Sequence, residues 1–425
     1  MRHRLTIAIT LASALLILSN CRLGSNTQPA SSKFVVAVIG DGVPSSSTQP
    51  NRVYPLNRAQ GRDMWSGAQA AFEKSPRLRG IRDLITLEPL DDGGDANQAQ
   101  KLARQIQSNP NVIAVIGHAT SETTRSAAWI YNEVGIPLLM PIATSPYAVY
   151  PPNTSINEEN RLQNCLRLPP SDDRVQAPAV AVIAKRKIVP PAKRITLLRD
   201  MSKDTPEYSG PLYDKLDKFL PEIIKRQEVN VEQTNFENLA AGIRAEQSDL
   251  IIFCGYGTTV VRLLEALRNA YANEDVSKKP KIILTDGCRI PDLDSHTSGF
   301  DVYLTFPIPT MRSLQRREES EDFKILLDTI ETDRYESYQL HGYDAMLMVG
   351  AALEKCRSTL SRMCVRQQLM NLQDFPGVLS TYSFKGGENI FPTYYVYHTS
   401  PEEHTLSFLC EIQPNEIKDY FGKAR

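Results

Sequence analysis

The chain lacks any imbalance of charge. Its 425 residues carry 48 basic side chains against 49 acidic ones, so nothing global argues for nucleic acid or another polyelectrolyte as a partner. It also lacks the short signatures of metal and nucleophile chemistry. None of its 7 cysteines is spaced CxxC, none of its 6 histidines falls in HExxH, and no GxSxG elbow occurs. A structural zinc, a zinc hydrolase and a serine hydrolase therefore lose their usual footing, and neither metal nor cofactor is expected. No low-complexity tract or short-period repeat is visible, and no apolar run reaches the ~20 residues that span a bilayer. What remains is an ordinary globular composition, 41% hydrophobic and 23% charged, with room for two or three domains.

The longest apolar run, LTIAITLASALLIL (Leu5–Leu18), follows Arg2, His3 and Arg4. A basic start and a short apolar stretch are the layout of a secretory signal, here residues 1–20. The run ends in LSNC, which resembles the bacterial lipobox and makes Cys21 the expected lipidation site. Residues 21–32 then read as a polar tether between lipid and domain. Asn20 departs from the small residue usual before that cysteine, so cleavage by ordinary signal peptidase with Cys21 unmodified is the alternative. Export places the chain at the periplasmic or cell-surface face of a bacterial membrane and permits disulfides. Cys356 and Cys364 are the best local pair, because EKCRSTLSRMC reads as a helix end, a turn and a new helix start.

From Lys33 onward, short β-branched runs alternate with amphipathic stretches. FVVAVIG (34–40), ITLEPLDD (85–92), VIAVIG (112–117) and IPLLMPI (136–142) are strand candidates. The rhythm resumes with RITLLRD (194–200), EVNVEQTNF (228–236), DLIIFCG (249–255), KIILTDG (281–287) and DVYLTFPIP (301–309). Between them lie helical patterns such as DANQAQKLARQIQS, with Asp95 as N-cap and Ala99, Leu102, Ala103 and Ile106 on one face. Helices are expected again near 319–331, 342–356 and 364–373, and three strand-like segments close the chain. Strands apolar on both faces and alternating with helices mean parallel sheets covered on both sides, an α/β class.

In such sheets ligands collect at the carboxyl ends of strands. There VIAVIG runs into HATSETT, with hydroxyls at Thr120, Ser121, Thr123 and Thr124. Helix-start amides and hydroxyls suit an anion. PIATSP (141–146) places Thr144, with the backbone of Ile142 and Ala143, on a neighbouring loop. GYGTT (255–259) and TDG (285–287) offer an aromatic ring at Tyr256 and a carboxylate at Asp286. Donors for an anion, an acceptor for a cation and an aromatic wall together suit a zwitterion such as an amino acid. Each residue also has a plain structural use: the hydroxyls as caps, Asp286 in a turn, Tyr256 as a surface ring. GYGTTV has no third glycine for a dinucleotide loop, and His118 beside Ser121 is the one hint of an acyl-transfer dyad.

The long ordered stretch DDGGDANQAQKLARQIQSNPNVIAVIGHATSETTRSAAWIYNEVGIPLLMPIATSP (91–146) resembles the type I periplasmic substrate-binding proteins of branched-chain amino acid ABC transporters. YESYQLHGYDAMLMVGAALEKC (335–356) and FPGVLSTYSFKGG (375–387) match later segments of that family. The resemblance implies two lobes joined by three crossovers, each lobe a mainly parallel sheet flanked by helices, with the ligand held in the cleft between them. It divides the chain into 33–146 plus 309–376 and 147–308 plus 377–425, with hinges near 147–160, 302–309 and 376–382. It gives Ser121 the ligand carboxylate, Thr144 both carboxylate and ammonium, Asp286 the ammonium, and Tyr256 and Tyr338 the cleft walls. Gln60 stands where branched-chain binders often carry an aromatic ring, which puts a purely aliphatic pocket in question. The implied function is non-catalytic capture of an amino acid or related polar solute for an ABC permease, with a lipid-anchored sensor or regulator of the same fold as the alternative.

Overall fold

The computed structural model describes residues 33–44, 59–202, 206–290, 292–309, 314, 320–329, 338–390, 392–403 and 405–422. The signal segment, Cys21 and the tether lie outside them. Two sheets of seven strands organise the chain. The first takes β1 (Phe34–Ile39), β2 (Ile85–Leu90), β3 (Val112–Gly117), β4 (Leu138–Met140) and β5 (Cys165–Arg167). The second takes β6 (Ile195–Asp200), β7 (Ile223–Val229), β8 (Leu250–Cys254), β9 (Lys281–Leu284) and β10 (Val302–Phe306). A small pair, β11 (Phe375–Pro376) and β12 (Thr381–Tyr382), stands apart. Then β13 (Phe384–Lys385) and β14 (Glu388–Asn389) return to the first sheet, and β15 (Tyr394–Thr399) and β16 (Ser407–Ile412) complete the second.

The orders are β13-β14-β5-β4-β3-β1-β2 and β16-β15-β10-β9-β8-β6-β7. Within each, the first five strands run parallel. Strand order reverses at β1–β3 in one sheet and at β6–β8 in the other, the position beside which ligands bind in open α/β sheets. The β-branched central strands explain the cores: β3 and β8 are buried along their whole length. Each fully buried Val, Ile or Leu side chain contributes about 1.5–3 kcal/mol.

Helices cover both faces. In α2 (Ala96–Ser108) the Asp95 carboxylate accepts from the Gln98 amide at 2.9 Å, and Ala99, Leu102, Ala103 and Ile106 are buried. α1 (Ala59–Lys74) packs against a later helix, Gln339–Lys355. Their backbones touch at Gly342, where a Cβ would lie 2.1 Å from the Met64 carbonyl oxygen. That contact carries Gln60 and Tyr338, near the two helix starts, to one place. Cys356 and Cys364 are joined by a disulfide between the end of this helix and the helix Arg362–Met370.

Sheet membership corrects the expected division. β5 belongs to the first sheet, so the chain crosses to the second after Arg167 rather than near 147–160. The β13–β14 hairpin also belongs to the first sheet, which moves the last crossing from 376–382 to beyond β14. The second sheet's parallel strands end with β10. β7 lies at Ile223–Val229, earlier than 228–236, because an edge strand alternates buried and exposed residues and shows no apolar run. The chain also ends in a helix that has no counterpart among the expected elements, Pro414–Gly422.

Candidate functional site

The first lobe contributes two loops. β3 ends at Gly117, whose φ of 152° and 2.3 Å approach of a would-be Cβ to the Ile39 carbonyl oxygen admit only glycine. His118 is fully buried, with Nδ1 2.7 Å from Asp92 and Nε2 3.1 Å from the Tyr131 hydroxyl. Both ring nitrogens are thus engaged away from Ser121, and the dyad has no base.

Thr120 caps α3 (Ser121–Glu133) by accepting from the Thr123 amide at 3.1 Å. Thr123 and Thr124 turn their hydroxyls back to the Thr120 carbonyl. These three hydroxyls therefore serve the helix start. Ser121 differs: its hydroxyl accepts from the Ser145 amide at 3.3 Å and ties the loop after β3 to the loop after β4.

On that second loop Ile142, Ala143 and Thr144 are buried. The Thr144 carbonyl accepts from the Arg167 guanidinium and from the Asp172 amide, the latter at 3.1 Å. Arg167 is fully buried, and its Nε lies 3.3 Å from Glu388, which also meets Arg161 at 2.7 Å. Burial alone would raise the Glu388 carboxyl; Arg167 and Arg161 outweigh it and bring the group below the usual carboxylate range.

The second lobe faces these loops with acids and rings. Tyr256 follows β8 and stands at the start of the helix Gly257–Ala270. Asp286 follows β9, is 3% exposed, and accepts from the Gln176 amide group at 2.8 Å. Asp172 is fully buried near the Thr144 hydroxyl. Burial and then the neighbouring Asp286 charge push the Asp172 carboxyl well above the usual range. Burial, with Asp286 behind it, likewise raises the phenols of Tyr338 and Tyr394.

Gln60, Ser121, Ile142, Ala143, Thr144, Tyr256, Asp286 and Tyr338 line one cavity between the lobes, together with Ala119, Thr120 and Gly287. It is about 20 Å³, space for one water. A solute the size of an amino acid enters only when the lobes part. Sequence reasoning did not find Arg167, Asp172 or Gln176. The signal available was the run RLPPSDDRVQ (167–176), whose charged residues directly follow the apolar Cys165–Leu166. Among the described residues no group of three His, Cys, Asp or Glu could hold a metal ion, and no helix is long and apolar enough to cross a membrane.

A family model described as "Periplasmic binding protein" matches residues 55–399. The chain belongs to that family. Curated relatives include the Leu/Ile/Val-binding protein of Citrobacter freundii, 25% identical over 211 residues, which is 49% of this chain and 54% of the relative. The amino acid binding protein of Pseudomonas aeruginosa is 27% identical over 217 residues, 50% of this chain and 54% of the relative. The chain thus spans about half the length of the curated relatives it matches. Among solved structures, the branched-chain amino acid transporter substrate-binding protein of Streptococcus pneumoniae, in complex with isoleucine, aligns with a TM-score of 0.68. The alignment covers 90% of this chain and 100% of that one at 16% identity, a likeness of fold. The periplasmic binding fold accounts for the paired sheets and for a cavity placed between them.

Proposed function

We propose that this periplasmic binding protein captures a small zwitterionic solute, an amino acid or a close relative, without transforming it, and delivers it to an ABC permease in the membrane. The observation that carries the reading is the polarity of the cavity. The start of α3, the Ser121 hydroxyl and the Thr144 loop present donors on one lobe, while Asp286 presents a buried carboxylate on the other. A carboxylate on the first side and an ammonium on the second would each find a partner, and a solute holding both would draw the lobes together. Gln60 in the lining favours a side chain with a polar group over a purely aliphatic one. The names of the relatives, Leu/Ile/Val-binding and amino acid binding, support the same solute class.

In this reading residues 1–20 are removed on export, and Cys21 carries the lipid that holds the protein at the membrane. The disulfide between Cys356 and Cys364 suits an oxidising compartment. The test begins with a thermal-shift screen of amino acids, amides and small peptides. Calorimetry on the best solute then compares the protein with the Ser121→Ala, Asp286→Ala double variant. Binding is expected to vanish in the double variant; unchanged affinity would sink the site assignment.

A further inference from the structure

A second and larger cavity lies where the chain crosses between the lobes. It measures about 730 Å³ and takes its walls from both sides. From the first lobe come Lys385 on β13 and Ile390 just after β14; from the second come Arg174, Val175, Ile417 and Lys418. The last two belong to the C-terminal helix Pro414–Gly422. That helix is fixed to the second lobe by Lys187–Glu416 at 3.2 Å, by Arg186 stacked 5.0 Å over Tyr420, and by Ile417 against the lobe's core. Without it the cavity would lack a wall.

The charges are arranged unevenly. Glu388 at the cavity floor is taken up by Arg161 and Arg167, and exposed Glu158 meets Arg174 only at 3.9 Å. Lys385 and Lys418, one from each lobe, form no ion pair among the described residues. Both lysines line the cavity, one from each lobe, and an anion held there would compensate them. The same lining includes apolar side chains, Val175, Ile417 and Ile390, the last 43% exposed. An exposed isoleucine beside uncompensated lysines fits a ligand with a hydrocarbon body and an anionic head.

We propose that this cavity is a second binding site, distinct from the one between the strand ends, and that it takes a small organic anion with an apolar body, held between Lys385 and Lys418. The site is joined to the first by side chains already described: Arg161 to Glu388, Glu388 to Arg167, and Arg167 to the Thr144 carbonyl. The proposal does not depend on what the first cavity holds.

The probe is octanoate, titrated by calorimetry into the purified protein, with octylamine as the cationic counterpart of the same tail. Octanoate is expected to bind and octylamine not to. The Lys385→Glu, Lys418→Glu double variant should weaken octanoate at least tenfold, and Lys385→Gln, Lys418→Gln should fall between. Both lysines are exposed, so circular dichroism of the variants should match the parent. Ser121→Ala should leave octanoate binding unchanged. The proposal is overturned if octanoate does not bind the parent, if the charge-reversed variant binds it equally, if octylamine binds as well, or if Ser121→Ala weakens octanoate about fivefold, the effect expected of a ligand in the first cavity.

Discussion

The two sides of the interlobe cavity are made from different materials. The first lobe offers neutral donors: a helix start capped by Thr120, the Ser121 hydroxyl, and a loop whose Thr144 carbonyl is pinned by Arg167. The second offers charge and rings: Asp286, with Asp172 close by, and Tyr256. A neutral donor gains one ordinary hydrogen bond when the solute binds, whereas a buried carboxylate meeting an ammonium makes a charge-assisted pair, roughly twice as strong. The second lobe should therefore carry most of the binding energy per residue, and the first should set orientation.

That contrast can be broken in order of expected effect. Asp286→Ala removes one partner of a buried charge pair and should cost about 2–5 kcal/mol of solute binding, read by calorimetry. Ser121→Ala removes one neutral hydroxyl and should cost only about 1 kcal/mol, near fivefold in affinity. If the serine change proved the costlier, the assignment of roles to the lobes would be reversed.

Asp172 sharpens the comparison without any solute. Its carboxyl is raised by burial and by Asp286, so the folded protein holds a proton that the unfolded chain has already lost. The stability this contributes is present below the ordinary carboxylate range and is lost as pH rises through the raised value. Asp172→Asn should show no such loss, and its advantage over the parent in urea denaturation should be larger at pH 8 than at pH 5. Equal differences at the two pH values would show that Asp172 does not bear this penalty. The smallest effect is expected at the cavity edge: Gln60→Phe should shift preference toward apolar side chains by a few-fold, measured as a ratio of affinities for leucine and glutamine.

Much of this was legible in the chain itself. β-branched runs marked most of the parallel strands, Asp95 announced α2, and the hydroxyl cluster after β3 pointed to a strand end where ligands collect. The parts that escaped have physical causes. β5 is only Cys165–Arg167, too short to show a period, and losing it misplaced the first crossing. β7 is an edge strand whose polar residues face water. Arg167 and Glu388 are far apart in sequence and meet only because β14 pairs with β5. A buried arginine of this kind carries no local signature; its partner is supplied by topology. The hydroxyls look alike as residue types; the family resemblance singled out Ser121, and packing gives it a different partner from the three that serve the helix.

The central claim is that each lobe holds one end of a zwitterion. The most direct measurement takes the amino acid selected by screening and compares its affinity with those of two analogues, one lacking the amino group and one lacking the carboxylate. It does so in the parent protein, in Ser121→Ala and in Asp286→Ala. Both analogues should bind the parent at least tenfold more weakly, the penalty for the missing amino group should shrink in Asp286→Ala, and that for the missing carboxylate should shrink in Ser121→Ala. Penalties that stay the same in all three proteins would contradict the account.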